Sequence, residues 1–216
     1  MKQSNKYHKI LSLFKRNMTG DKKFLLGEWT TPELEYLKDK EWVFTEKVDG
    51  TNIRVMWNGK EIVFGGRSDD AQIYTVLLIR LQELFMRMEP RKIFAEIFGT
   101  EEMDVVLYGE GYGAKIQKGG GNYISDGTDF ILFDVAVNGI YLERENVEDI
   151  ASKFGIKVVP IIGHGTLEEA IEMTKKGFKS QWGNFIAEGI VARPKVELLT
   201  RRGERIITKV KYRDFL

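Results

Sequence analysis

The chain has 216 residues, 43% hydrophobic and 30% charged, with a formal net charge of +1, the proportions of an ordinary globular protein with room for one large domain or two small ones. It has no cysteine and two histidines, His8 and His164, which excludes disulfides and thiolate-metal sites, argues against a histidine-built zinc site, and leaves oxygen ligands, hence magnesium or manganese, for any metal. No apolar run approaches about 18 residues and no leader-like segment opens the chain, which predicts a soluble, cytoplasmic protein with no membrane partner.

Residues 1–23 carry Lys2, Lys6, Lys9, Lys15, Arg16, Lys22 and Lys23 against Asp21 alone, and Ile10, Leu11 and Phe14 among them predict an amphipathic helix near 6–16. Thr31-Pro32-Glu33-Leu34 opens a short helix, with threonine as cap and proline in the first turn. Runs rich in Val, Ile, Phe, Thr and Trp over 42–48 and 53–57 predict strands, and Asn58-Gly59 predicts a two-residue turn into Ile62-Val63-Phe64. The spacing of Ile73, Val76, Leu77, Leu81, Leu84 and Phe85 predicts a helix over 72–88, followed by strands over 92–98 and 104–109. A glycine-rich stretch, Gly109 to Gly127, leads to a strand over Phe130–Val135, and Asn138-Gly139 makes a second hairpin turn. Helices follow over 145–153 and 166–176, the latter opened by the capping box of Thr166 and Glu169, and strands near 186–192 and 205–212 close the chain. The last sixteen residues are again basic, with Arg201, Arg202, Arg205, Lys209, Lys211 and Arg213 against Glu204 and Asp214. With no repeat, linker or low-complexity block, the reading is one α+β domain over 1–216, its antiparallel sheets flanked by helices.

The chemistry concentrates in a few places. Lys47 lies between two apolar strand runs in Thr45-Glu46-Lys47-Val48-Asp49-Gly50-Thr51-Asn52. Glu188 interrupts the apolar run Ala187–Ala192, Lys209 and Lys211 alternate around Val210 so as to share a face, and Glu110 sits between Gly109 and Gly111. A sheet face lined by lysines and glutamates is costly as a stability device, because even paired buried ions seldom outperform apolar replacements. A site that handles phosphate explains it. An attacking lysine must be neutral, whereas the free side chain is protonated near pH 7. Flanking cations favour the neutral amine and also stabilise charge developing on a phosphate.

The ordered set Glu46-Lys47-Val48-Asp49-Gly50-Thr51-Asn52, Arg67, Gly109-Glu110, Phe133-Asp134, Glu188-Gly189 and Lys209-Val210-Lys211 resembles motifs I, Ia, III, IIIa, IV and V of the covalent nucleotidyltransferases, the superfamily of ATP-dependent ligases and mRNA capping enzymes. It is most similar to nick-sealing RNA ligases of the RNA ligase 2 type. The resemblance implies a ligase adenylation (nucleotidyltransferase) fold and, since the chain stops five residues after Lys211, no C-terminal OB-fold. It implies ATP and Mg2+ (or Mn2+) as cofactors, with Lys47 carrying AMP covalently and Lys209 and Lys211 gripping the α-phosphate. Glu46 and Asn52 would contact the nucleoside and phosphate surroundings, Arg67 ribose or phosphate, Phe133 the adenine face, and Glu110 and Glu188 the ribose and the metal. AMP would then pass to a 5′-phosphate and be displaced by a 3′-hydroxyl, so the partner is nucleic acid, nicked or bridged RNA or DNA.

Alternatives stay open at several of these residues. Taken alone, Phe133 reads as a core aromatic and Asp134 as a cap or a partner for a lysine such as Lys211. Glu96, in an apolar run before Gly99, rivals Glu110 as the third-motif acid. Asp49 stands where RNA ligase 2-type enzymes often carry histidine, in the manner of DNA ligases and capping enzymes. Lys115 and Lys118 around Gly119-Gly120-Gly121 fit a phosphate-contacting loop or a plain connection, His164 a turn, and Arg193-Pro194-Lys195 with Arg201-Arg202 a nucleic-acid track or a solvated face. A minimal DNA ligase, a capping-type guanylyltransferase and a catalytically inactive nucleic-acid-binding module are the rival functions.

Overall fold

The computed structural model describes residues 5–20, 22–86, 89–99 and 103–216. In chain order β1 (Leu11–Ser12), β2 (Phe14–Arg16), β3 (Phe24–Trp29), α1 (Pro32–Leu37) and β4 (Trp42–Glu46) precede β5 (Thr51–Trp57), β6 (Ile62–Gly65), α2 (Thr75–Phe85) and α3 (Pro90–Phe98). Then come β7 (Val105–Gly113), β8 (Thr128–Val137), β9 (Ile140–Tyr141), α4 (Arg144–Phe154), β10 (Lys157–Val158), β11 (Ile161–Gly165), α5 (Leu167–Lys176), β12 (Gly189–Pro194) and β13 (Thr208–Lys211). They divide into two compact units, one of Asp49–Val159 with the segment ending at Tyr7, the other of His8–Val48 and Pro160–Leu216.

The second unit carries a five-stranded sheet in the order β1-β13-β12-β4-β11, beside the β2-β3 ribbon. Its pairs are antiparallel except β1 with β13. Alternation along β4 sends Trp42 and Phe44 into a core with Ile190, Val210, Leu13 and the α5 residues Leu167 and Ala170. The capping box forms as expected: Glu169 N–H donates to Thr166 Oγ1 at 3.2 Å, and Thr166 N–H donates to Glu169 Oε2 at 2.7 Å.

In the first unit the sheet order is β10-β8-β7-β5-β6, with β9 on β8. One face buries Ile53, Val55, Trp57, Leu107, Phe130 and Leu132 under α2, α3 and α4. On the other face are Met56, Val106, Tyr108, Ala136 and Phe133, joined by Tyr7 and Tyr141. Such two-faced burial follows from the period-2 pattern of β5, where Asn52, Arg54 and Met56 alternate with the three core residues.

Four expectations are corrected. No helix forms over 6–16, whose second half holds strands β1 and β2 instead; a short apolar run suits either state, and pairing with β13, far along the chain, decides it. The run 92–98 is helix α3, with Pro90 in its first turn, Gly99 at φ 77° ending it, and Phe94 and Phe98 stacked at 5.7 Å one turn apart. The glycines 109–113 belong to β7 itself. His164 lies in β11 opposite Val43 rather than in a turn. The expected 72–88 helix is observed over 75–85, while its last two residues, like Lys2 and Asp21 of the basic N-terminus, lie outside the described residues.

Candidate active site

The chain leaves β4 at Glu46, and Lys47 N–H donates to Gly189 O at 2.9 Å, which fixes the lysine at the edge where β12 begins. Its Nζ donates to Glu188 Oε2 at 2.6 Å, and Lys211 Nζ donates to Glu188 Oε1, also at 2.6 Å. One carboxylate therefore bridges two ammoniums, one oxygen to each, with the three side chains 18%, 10% and 16% exposed in the order Lys47, Glu188, Lys211. The β12-β13 register places Gly189 opposite Lys211, and Tyr212 N–H holds Glu188 O at 2.9 Å. A Cβ on Gly189 would lie 2.1 Å from Val210 O, so only glycine admits this approach. Lys209 sits two residues before Lys211 on the same face of β13. Lys47 and Lys211 share the single carboxylate of Glu188, two ammoniums to one carboxylate.

Glu46 plays a different part. It is 1% exposed, and its oxygens accept from Ser180 Oγ at 2.6 Å and Gln181 N–H at 2.8 Å. Burial pushes its carboxyl above the usual range, against the pull of these two bonds. With both oxygens engaged, Glu46 ties the segment entering β12 to the end of β4.

The remaining candidates belong to the other unit. Past Asp49, whose N–H donates to Tyr123 Oη at 3.1 Å, Gly50 passes so close to β7 that a Cβ would meet Gly111 O at 2.3 Å. Gln117 Nε2 donates to Gly50 O at 3.0 Å. The glycine-rich segment is thus tied onto this loop rather than being a plain connection. Asn52 on β5 stands opposite Glu110 on β7, and its Oδ1 is buried without a hydrogen-bond partner among the described residues. Phe133 occupies the β-bulge where β8 slips against Tyr108 and Gly109, which turns Phe133 and Asp134 to the same face. Tyr7 packs edge-on against Phe133 at 5.1 Å and donates its hydroxyl to Asp134 at 2.5 Å. Asp134 thus meets a tyrosine, while Lys211 directs its ammonium to Glu188. Glu96 lies on the exposed side of α3, in a helix rather than the strand on which its candidacy rested. Arg67 is exposed on the bend after β6.

Sequence reasoning missed several residues. Arg54, only 1% exposed, donates through Nε to Gly66 O at 2.7 Å and through Nη2 to Asp69 at 2.9 Å. Bonding to Arg54, and then to Lys6, holds the Asp69 carboxyl below its usual range. Its place between Ile53 and Val55 in an alternating strand was the available signal. Tyr7, Ser180, Gln117 and Tyr123 gave none, since each acts on a partner remote in the chain.

Carboxylate oxygens suit a hard divalent ion, and each unit carries one of the two expected acids, Glu110 or Glu188, but no group of three or more His, Asp or Glu able to hold a metal occurs among the described residues. That sparse donor set fits magnesium or manganese, which commonly take one or two carboxylates and fill the rest of their shell with phosphate oxygens and water.

Three solved forms of an RNA ligase from Naegleria gruberi share the fold. A variant with AMP and manganese is 21% identical with a TM-score of 0.62, covering 83% of this chain and 52% of that one. Another with ATP and manganese is 20% identical at 0.62, covering 93% and 59%, and the ligase with pyrophosphate is 20% identical at 0.61, covering 95% and 61%. This chain thus spans little more than half the length of those proteins. Residues 40–211, from the start of the β4 region to Lys211, match the RNA ligase family model, and the chain belongs to the RNA ligase family.

Proposed function

We propose that this chain is an ATP-dependent RNA ligase acting through a covalent Lys47–AMP intermediate, with the whole of 1–216 serving as one adenylyltransferase domain in the cytoplasm. The observation that carries the reading is the Glu188 carboxylate shared by Lys47 Nζ and Lys211 Nζ at 2.6 Å each. Lys47 Nζ attacks the α-phosphorus of ATP, an N–P bond forms, the bond to pyrophosphate breaks, and the amine gives up a proton. Glu188, hydrogen-bonded to Lys47 Nζ, receives that proton, and Lys211 and Lys209 stabilise the charge that grows on the phosphate oxygens. A divalent metal, held by Glu188 and Glu110, would supply further charge neutralisation on the phosphates. Phe133 and Asn52 orient the nucleoside, Arg67 contacts ribose or phosphate, and Glu46 holds the nucleophile's strand in place. In the later steps AMP passes to a 5′-phosphate, with release of the lysine amine, and a 3′-hydroxyl then displaces AMP to form the phosphodiester.

Incubation with α-labelled ATP and magnesium tests this. Wild type should acquire covalent AMP and Lys47→Ala should not; an unlabelled wild type or a labelled Lys47→Ala sinks the mechanism. Competing RNA and DNA nicks in one reaction should show RNA sealed first, and preference for DNA would transfer the assignment to a DNA ligase. Among the described residues no helix is long and apolar enough to cross a membrane.

A further inference from the structure

The β12–β13 connection is a braced hairpin. Leu199 bridges Arg205, Thr200 N–H donates to Glu204 O at 2.8 Å, and Gly203 turns at φ 78°. Thr200 Oγ1 accepts from the N–H groups of Arg202 and Glu204 at 3.3 Å each, while Arg205, buried, forks onto Glu197 through Nε and Nη2. These bonds hold Arg201 and Arg202 at a defined tip. Facing the tip within the same unit is a groove of about 880 Å³, lined also by Lys9, Tyr36 and Leu199, near the top of the roughly 300–1,000 Å³ range of ligand sites. Tyr36 is 81% exposed and Leu199 58%, so the groove offers a bare aromatic face and an apolar floor.

Charge favours an anion there. Lys9, Arg201 and Arg202 form no ion pair among the described residues and outnumber the lining acids Glu33 and Glu204. The other basic stretch of this connection is already neutralised in part, since Lys195 pairs with Glu41 at 2.8 Å. An open aromatic ring beside unpaired guanidinium groups suits a strand whose bases are free to stack and whose phosphates are regularly spaced. A base-paired duplex hides the faces Tyr36 would use, and an acidic peptide leaves Tyr36 with nothing to stack.

We propose that this groove binds single-stranded RNA, with Arg201, Arg202 and Lys9 on phosphates and Tyr36 stacked on a base, which rests on the RNA ligase reading and assigns the unpaired stretches of its substrate a surface built by α1 and the β12–β13 tip. Binding of a fluorescein-labelled single-stranded oligoribonucleotide to the full chain, without ATP, tests it by anisotropy across a salt series. Arg201→Ala with Arg202→Ala should weaken binding about tenfold or more and reduce the salt slope by about 1.4, roughly 0.7 for each phosphate that is no longer neutralised. Tyr36→Ala should weaken binding about tenfold, while Tyr36→Phe, which keeps the ring, binds like wild type. Lys175→Ala with Lys176→Ala removes equal charge from the end of α5 and should leave binding intact. Melting temperatures equal to wild type's establish that the variants fold. Equal binding by the Arg201/Arg202 and Lys175/Lys176 double variants, or equal binding by Tyr36→Ala and Tyr36→Phe, overturns the proposal, as does polyglutamate displacing the RNA as well as unlabelled RNA does. Self-adenylylation of wild type is measured separately without RNA, so loss of the ligase reading and loss of the groove are distinct results.

Discussion

In the unit built on β4, β12 and β13 the charged side chains of the site close on one another, with Glu188 holding Lys47 and Lys211 at 2.6 Å. In the unit built on β5, β7 and β8 the corresponding sheet face is a set of aromatic rings, Tyr7, Tyr108, Phe133 and Tyr141, marked by a few polar atoms, one of which, Asn52 Oδ1, is buried with no hydrogen-bond partner among the described residues. The first is an electrostatic device whose state depends on which counter-charge is present; the second is a packed, mostly apolar aromatic cluster, and it holds Phe133 and Asn52, the residues proposed to meet the nucleoside. Reaction rate should therefore depend on the first and nucleotide affinity on the second.

Lys211→Met puts that division at greatest risk. It removes one of the cations expected on the α-phosphate, and the rate of self-adenylylation should fall about 100- to 1,000-fold with a far smaller change in KM for ATP. A loss carried by KM instead would mean that Lys211 serves ground-state binding, and the comparison breaks. Phe133→Ala is the converse case: stacking on a base is worth about 1–3 kcal/mol, so KM for ATP should rise about tenfold or more while kcat changes little. A collapse of kcat with KM intact would remove Phe133 from the nucleotide site and restore it to the core. Between these stands a test of the scaffold. Gly50→Ala drives a Cβ to 2.3 Å from Gly111 O and should destabilise the protein by about 1–3 kcal/mol in urea denaturation, the usual range for overpacking.

What the sequence disclosed and what it hid separate along physical lines. Features with local causes were legible: the Thr166–Glu169 capping box, the two-residue turn at Asn138-Gly139, and the lysine run between two strands all depend on neighbours a few residues away, whereas the two-residue turn expected at Asn58-Gly59 is a four-residue loop, 58–61, because Trp57 pairs with Ile62. The first-motif, fourth-motif and fifth-motif residues were legible as types, and their meeting at Glu188 follows from the register of β4, β12 and β13. Hidden features have remote causes. The N-terminal run becomes β1 because β13 offers an edge, Ser180 and Gln181 convert Glu46 into an anchor across 134 and 135 residues, and Tyr7 reaches Asp134 across 127. The run at 92–98 is instructive because its brackets, Pro90 and Gly99, were visible, yet its apolar content alone suits a strand equally well.

The smallest effects carry opposite signs in the two units. Burial raises the Glu46 carboxyl, so between the ordinary glutamate value, about 4.3, and its raised value the folded state binds more protons than the unfolded chain, and stability falls as pH rises through that window. Relative to Glu46→Gln, wild type should therefore lose ground as pH climbs above about 4.3 and level off once Glu46 is ionised in the folded state. Asp69 runs the other way. Arg54 and Lys6 lower its carboxyl, so its stabilisation is fully present above the ordinary aspartate value and disappears as pH falls through the lowered one. Asp69→Asn should accordingly cost stability at neutral pH, and the difference from wild type should shrink on acidification. Asp69 is exposed, so about 1 M salt should flatten that difference while leaving the Glu46 profile, which arises from burial, largely in place. Urea denaturation across this pH range at both ionic strengths reads all four curves. Parallel slopes for the two substitutions would show that burial at Glu46 and pairing at Asp69 do not dominate their titrations.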